Sequence, residues 1–212
     1  ITGCFTAITN KRDLKSDFSE EKPDIFISVP AIWVNIYNTV MKNIDRKGLF
    51  SKILAKTLIK GSVRYIRNLR YQNNLIYLIG EERKEEQIRY YQIGLFDFFF
   101  HKLAQKIIYK KIIELTGGRL RLTISGGGAL PMYIEDFIEA AGINLVVGWG
   151  ITETAPVVTL RSPYKNFRGT CGIPIPEVTI EIRDKKGEVC KDGVMGVCYI
   201  KGPNVFKEYY KD

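Results

Sequence analysis

Hydrophobic positions in this chain repeat at two periods, and the change from one to the other divides it. Behind Pro131, residues Ile134, Phe137, Ile138 and Ala141 recur at helical spacing, Glu135 and Asp136 suit the positive end of a helix, and Gly142 ends it. A strand-like run, Leu120 to Ile124, precedes this helix, and a short apolar run, Ile143 to Val147, follows it. Strand, glycine-rich loop, helix, strand and aromatic loop in that order predict an α/β sheet. Both loops then fall at the carboxyl ends of strands, where open α/β sheets bind ligands, so they are expected to face one pocket.

The same reading extends upstream. Ile25 to Val29 reads as a strand, and Trp33, Ile36, Tyr37 and Val40 begin a helical pattern after Pro30. From 42 to 70, Leu49, Phe50, Ile53, Leu54, Leu58, Ile59, Val63, Ile66 and Leu69 keep helical spacing while Lys52, Lys56, Lys60 and Arg64 recur every four residues. This predicts an amphipathic basic helix, broken or bent near Gly61, with its apolar stripe turned inward. Glu81 to Gln92 is charged and turn-like, and Phe96 to Ile113 resumes a helical pattern that ends near Gly117-Gly118. Ile1 to Phe5 reads as the inside of a buried strand. After Pro163 the period becomes two: Val178, Ile180 and Ile182 alternate with polar residues, and Val197 to Lys201 reads as another strand. The expected fold is therefore a mostly parallel sheet flanked by helices over 1–162, with the basic excursion at 42–70, then a small antiparallel β unit over 163–212.

Composition narrows the classes. With 212 residues and 45% hydrophobic content, the chain suits one sizeable core. Its longest apolar run, around Ile93 to Phe100, is interrupted by Asp97 and is far too short to span a bilayer. No signal peptide is visible, and Cys4, Cys171, Cys190 and Cys198 lack metal-site spacing, so buried or reduced thiols and a cytoplasmic setting are expected. His101 is the only histidine and sits among aromatic and aliphatic residues, which argues for packing rather than nucleophilic catalysis. The net charge of +9 is concentrated between Lys42 and Arg70, with nine Lys or Arg opposed only by Asp45. A solvated helix face is one reading; peripheral contact with anionic headgroups on the inner face of a membrane is the other. Nucleic-acid binding is not expected, because no nucleic-acid motif accompanies the charge.

The chemistry is concentrated in two loops. Ser125, Gly126, Gly127, Gly128 and Ala129 lead to Pro131 in one, and Gly148-Trp149-Gly150-Ile151-Thr152-Glu153-Thr154 forms the other. Glycine on both sides of Trp149 lets backbone approach a flat ligand, and the indole offers a stacking face to a purine. Thr152 is placed to donate to a phosphate, and Glu153 supplies a hard oxygen for a magnesium ion carried by ATP. The plainer alternatives are a tight strand-to-helix turn at Gly126 to Gly128 and a solvated helix start at Glu153.

Taken together, these motifs resemble those of the AMP-forming acyl-CoA synthetases. Ser125 to Pro131 is similar to the family's S-G-G-x-x-x-P loop, Gly148 to Thr154 to its G-Y-G-x-T-E-T loop, and Gly169 to Pro174 to a later G-x-x-G-x-P turn. Gly193 to Gly196, followed by Gly202 to Tyr210, resembles the family's G-x-x-G and G-P-x-V-x-x-G-Y-Y run. Pro23 to Trp33 resembles a stretch of the long-chain fatty-acid CoA ligases. Trp149 stands where the family has tyrosine, and Glu208 replaces a glycine.

The resemblance implies the large N-terminal domain of an adenylate-forming enzyme, with 163–212 starting its β-barrel-like subdomain. It implies activation of a long-chain fatty acid with ATP and Mg2+ to acyl-AMP and transfer to coenzyme A. In that scheme Thr152 and Glu153 are catalytic, Glu153 holding the metal, and residues 125–129, 148–150 and Thr152 bind the nucleotide. Trp33 and Gly127 line the fatty-acid tunnel, with Trp33 as its gate. The family's Ser/Thr/Gly-rich phosphate loop, its T-G-D element and its C-terminal lysine domain are not in this sequence, so the chain is expected to be an internal fragment, inactive alone. Transfer to a carrier protein, and a non-catalytic lipid- or nucleotide-binding scaffold, are the alternatives.

Overall fold

The computed structural model describes residues 5–10, 12–77 and 95–210. The charged stretch expected at Glu81 to Gln92 and the strand start at Ile1 to Cys4 lie outside these residues, and Phe5 is exposed and in no strand. In chain order the elements begin with α1 (Leu14–Glu21), β1 (Ile25–Ser28), α2 (Pro30–Asp45) and α3 (Leu49–Gln72). Helix α4 (Leu95–Ala104) passes through a π-helical turn (Gln105–Tyr109) into α5 (Lys110–Leu115). Then come β2 (Leu122–Ser125), α6 (Met132–Ala140), β3 (Leu145–Trp149), a 3-10 turn (Thr152–Thr154), β4 (Thr159–Leu160) and β5 (Ile173–Pro174). A hairpin of β6 (Thr179–Arg183) and β7 (Val197–Lys201) completes the described chain.

Strands β1, β2 and β3 are parallel neighbours, with Ser28 beside Ser125 and Ser125 beside Val147. Strands β4 and β5 extend this sheet antiparallel from β3, giving the order β1-β2-β3-β4-β5, and β6-β7 form a separate antiparallel sheet. The expected α/β class is therefore present: a parallel-rich sheet with helices, plus a small antiparallel sheet. The main sheet continues through β5, beyond residue 162. Strand β3 ends at Trp149, so the indole belongs to the strand and not to the loop after it.

Local chemistry explains the element ends. Extended Val29 leads into Pro30 at the first turn of α2, where a missing N–H is harmless and the fixed φ suits a helix. Trp33 on that first turn is fully buried and packs edge-on to Phe26 of β1, whose other neighbour is Phe18 of α1. The core continues through Leu58, Tyr109, Ile112, Phe137 and Ile138, which joins α2, α3, α5 and α6 into one cluster.

Two expectations for the basic helix are corrected. Helix α3 runs unbroken through Gly61, because the glycine makes room for Phe100 of α4; a Cβ there would lie 2.6 Å from the Phe100 ring. Next to it, Ser62 Oγ lies 2.8 Å from His101 Nδ1 and the Tyr65 ring stacks on the imidazole, so the single histidine is packed, its pKa lowered by burial. The apolar stripe turns inward only from Ala55 onward, and Leu49, Phe50, Ile53 and Leu54 are exposed. Nor is the cationic stripe simply solvated: Lys52 and Lys56 both reach Asp45, Arg64 grips buried Asp97, Arg67 reaches Asp136 and Arg70 reaches Glu139.

Glu135 and Asp136 also do something other than cap a helix dipole. Both are buried, and α6 directs them, with Glu139, into a cluster of four arginines. Arg161 donates to Glu135 at 2.5 Å, Arg67 Nε donates to Asp136 at 2.9 Å, and Arg70 Nε donates to Glu139 at 2.6 Å. Arg168, fully buried, pairs with Asp136 and Glu139 and donates to the Glu135 carbonyl at 3.0 Å. Burial, then Arg70, pushes Arg168 down to about 9, which still leaves it charged at neutral pH.

Replacing Gly61 with leucine in the full-length protein is expected to lower stability by about 1–3 kcal/mol, because the added side chain must displace Phe100. Urea unfolding should show a lower midpoint; an unchanged midpoint would contradict the packing described for α3 and α4.

Candidate active site

The glycine loop leaves β2 at Ser125 and turns over the β1-to-α2 junction. Gly126 N donates to the Ser28 carbonyl at 3.0 Å, and a Cβ on Gly126 would lie 3.5 Å from the Gly148 carbonyl. The two loops therefore begin side by side, at the carboxyl ends of adjacent parallel strands. Gly127 has φ +76, a left-handed conformation that favours glycine, and its nearest neighbour is Val29; Gly128 lies against Pro30. Thus the Val29-Pro30 stretch, the glycine loop and the start of the tryptophan loop converge. Ala129 leads the loop on to Pro131, the N-cap of α6.

Glycine beside Trp149 has a different use from the one expected. At Gly150 a Cβ would sit 1.7 Å from the Pro156 carbonyl oxygen, so the chain's own return over the loop requires glycine there. Gly148 faces β4, with Leu160 and Thr159 next to it. The fold of the loop therefore requires glycine at 150, whereas a Cβ at Gly148 would meet only ordinary contacts, 3.4 Å or more away. Thr154 is buried and closes the turn, accepting from Ile151 N at 3.2 Å and donating to the Ile151 carbonyl at 2.9 Å. Trp149, half-buried, pairs with Thr159, and the turn after it presents exposed Thr152 and a partly exposed Glu153.

A second segment holds this turn from outside. Phe206 N donates to the Glu153 carbonyl at 2.8 Å, and the Asn204 carboxamide donates to the carbonyls of Thr154 and Val157 at 3.0 and 2.9 Å. The Tyr209 hydroxyl donates to Glu153 Oε1 at 2.6 Å. That bond, aided by a bond from the residue's own backbone, holds the Glu153 carboxyl below the ordinary carboxylate range, and it raises Tyr209 in turn. In the sequence, residues 202–210 read only as a family-like motif; that Tyr209 holds the Glu153 side chain and Asn204 the turn around it is a finding of the structure. The available signal was a carboxamide and two tyrosines in a short polar run, which spacing alone does not tie to a loop fifty residues earlier.

An ionised, outward-facing carboxylate fits a magnesium ion that arrives on phosphate oxygens and needs only one or two protein ligands. No group of three or more His, Cys, Asp or Glu side chains that could hold a metal occurs among the described residues. Trp33 is fully buried in the core against Phe26, its indole N–H without a hydrogen-bond partner. The hydroxyls of Ser28 and Ser125, neighbours across β1 and β2, are likewise buried and unsatisfied.

A family model described as AMP-binding enzyme matches residues 2–210. This chain belongs to that family. It is 35% identical over 216 residues to a probable chloroplastic acyl-activating enzyme of Arabidopsis thaliana, covering 96% of this chain and 29% of the relative. It is 34% identical to a chloroplastic long-chain-fatty-acid–[acyl-carrier-protein] ligase of the same plant, again over 96% of this chain and 29% of the relative. The chain thus spans under a third of the length of these curated relatives. Among solved structures, a long-chain-fatty-acid–CoA ligase of Archaeoglobus fulgidus superposes with a TM-score of 0.52 at 16% identity, over 96% of this chain and 29% of that one. At that identity the likeness concerns the fold.

Removing the tether, by Tyr209→Phe in the full-length protein, is expected to raise the Glu153 pKa toward the ordinary carboxylate value, since the hydrogen bond that favours the ionised form is lost. Carbon-13 NMR titration of the labelled carboxyl reads this directly; an unchanged titration would contradict the tether.

Proposed function

We propose that this chain is part of an enzyme that activates a long-chain fatty acid with ATP and passes the acyl group to a thiol. The observation that carries the reading is the meeting of the Gly126–Gly128 and Gly148–Glu153 loops at the ends of β2 and β3, with Glu153 held outward by Tyr209. A carboxylate is a poor acyl donor, because its leaving group would be oxide. In the proposed first step a carboxylate oxygen bonds to the α-phosphorus of ATP and pyrophosphate leaves. In the second, a thiolate bonds to the acyl carbon and AMP leaves.

Each residue then has a task that follows from its position. Trp149 offers its half-buried face to the adenine, and Thr152 donates to the α-phosphate. Glu153 receives the magnesium ion that accompanies the phosphates, which neutralises charge developing there. Ser125 to Ala129 form the floor between adenine and acyl group, with Gly127 and Trp33 beside the acyl path. Such fixed electrostatic groups commonly supply the largest share of the acceleration.

Coenzyme A is the acceptor in the first reading, which rests on the motifs shared with fatty-acid CoA ligases. A carrier-protein thiol is the second, and the 34% identity to an acyl-carrier-protein ligase over nearly the whole chain favours it. Peripheral contact with anionic membrane remains part of the proposal through α3, whose exposed Leu49 and Phe50 adjoin Lys52. No helix among the described residues is long and apolar enough to cross a membrane. Cys171, Cys190 and Cys198 are free thiols, Cys171 and Cys198 exposed, which suits a reducing compartment.

In the full-length protein, Glu153→Ala is expected to reduce palmitate-dependent pyrophosphate exchange by about 100-fold or more. A near-normal rate would overturn the metal role. Supplying free coenzyme A or a phosphopantetheinylated carrier protein to the native enzyme, and measuring which thiol is acylated, decides the acceptor.

A further inference from the structure

Away from the two loops, a cavity of about 630 Å³ opens between α2, α3 and α6, and no strand or glycine-loop residue lines it. Its size falls in the range of small-molecule sites, roughly 300–1,000 Å³. One wall is apolar, built from Met41 of α2, Ile59 and Val63 of α3, and Phe137 of α6. Tyr37 joins that wall and meets both Phe137 and Tyr133 edge-on. Beside Ile59 and Val63, helix α3 also brings Lys56, Lys60, Arg64 and Arg67 to the lining, three of them spaced by four residues.

Among the described residues, the cations around the cavity are unequally paired. Lys56 pairs with Asp45, Arg64 with Asp97, and Arg67 with Asp136, an aspartate that Arg168 also grips. Asp136 is thus shared by two guanidinium groups. Lys60 has no ion pair among the described residues, and its side chain is on the exposed side of the helix at the cavity mouth. A slot with an apolar wall and surplus positive charge along one edge is complementary to an amphiphile with one chain and an anionic head.

We propose that this cavity is an accessory holding site for a long-chain fatty acid, its carboxylate at Lys60 and its chain along Met41, Ile59, Val63 and Phe137. That the fatty acid is the enzyme's own substrate rests on the function proposed above; the complementarity of the slot does not. Tyr133 lies two residues beyond Pro131, where the glycine loop ends, so the held molecule would sit next to the element that carries the loop.

The test uses the full-length protein without ATP and a palmitate probe carrying a photoactivatable diazirine on its chain. Labelling is expected on peptides containing Met41, Ile59 or Val63, competed by palmitate and not by hexadecanol. Lys60→Glu, at an exposed position that leaves the core untouched, should weaken this labelling by about tenfold through charge reversal, with an unchanged melting curve. Labelling confined to other regions, equal competition by hexadecanol, or full labelling of the Lys60→Glu protein would overturn the proposal. Neither ATP nor Glu153 takes part, so normal turnover by Glu153→Ala beside the expected labelling would remove the proposed function and leave the lipid site.

Discussion

Arg168 is the interaction on which the arrangement of the site depends. Its guanidinium, sealed from solvent, holds Asp136, Glu139 and the Glu135 carbonyl of α6, while its own backbone pairs with Leu75 just after α3. One residue, through its side chain and its backbone, therefore joins three parts of the chain that are far apart in sequence. Arg161, at the end of β4, reaches Glu135 of the same helix. The helix following the glycine loop and the hairpin following the tryptophan loop are thus tied to one set of carboxylates, and the separation between the loops is set by that knot. Burying so many charges is expensive in itself, and such a cluster is better understood as specifying one arrangement than as adding stability. Losing one member would leave the others uncompensated, at a cost of about 3–5 kcal/mol.

Much of this frame was legible in the sequence because period and punctuation act locally. The strand, glycine loop, helix and strand between 120 and 149 could be read from Pro131, Gly142 and the apolar repeat, and the alternation after Val178 announced the hairpin. What stayed hidden was every feature whose partner lies far along the chain. Glu135 and Asp136 look like helix-start acids until Arg161 and Arg168 fold over them. Gly61 looks like a break until Phe100 fills the space beside it, and Gly150 looks like room for a ligand until Pro156 takes that room. Lysines and arginines at four-residue spacing look like a solvated stripe, yet most of them find an acid that the sequence places elsewhere.

The candidate site shows the same division. Its components, Ser125 to Ala129 and Gly148 to Glu153, were readable as a pair of loops from residue chemistry. The control on Glu153 was not readable: the Tyr209 phenol holds the carboxylate and lowers its pKa, while the Asn204 carboxamide pins the backbone of the turn that carries it. Nucleotide contacts, on this account, are made by strand ends held rigidly from behind by arginines and adjusted from the front by a C-terminal segment. Helix α3 takes part in both roles, since Arg67 and Arg70 belong to the knot while Lys56 and Lys60 edge a separate cavity.

The most direct measurement is photo-crosslinking of the full-length protein with 8-azido-ATP and magnesium, followed by mapping of the labelled peptides. The account predicts label within 125–129 or 148–154, suppressed by excess ATP. Label elsewhere, or none in these two loops, would contradict the claim that their meeting forms the nucleotide site.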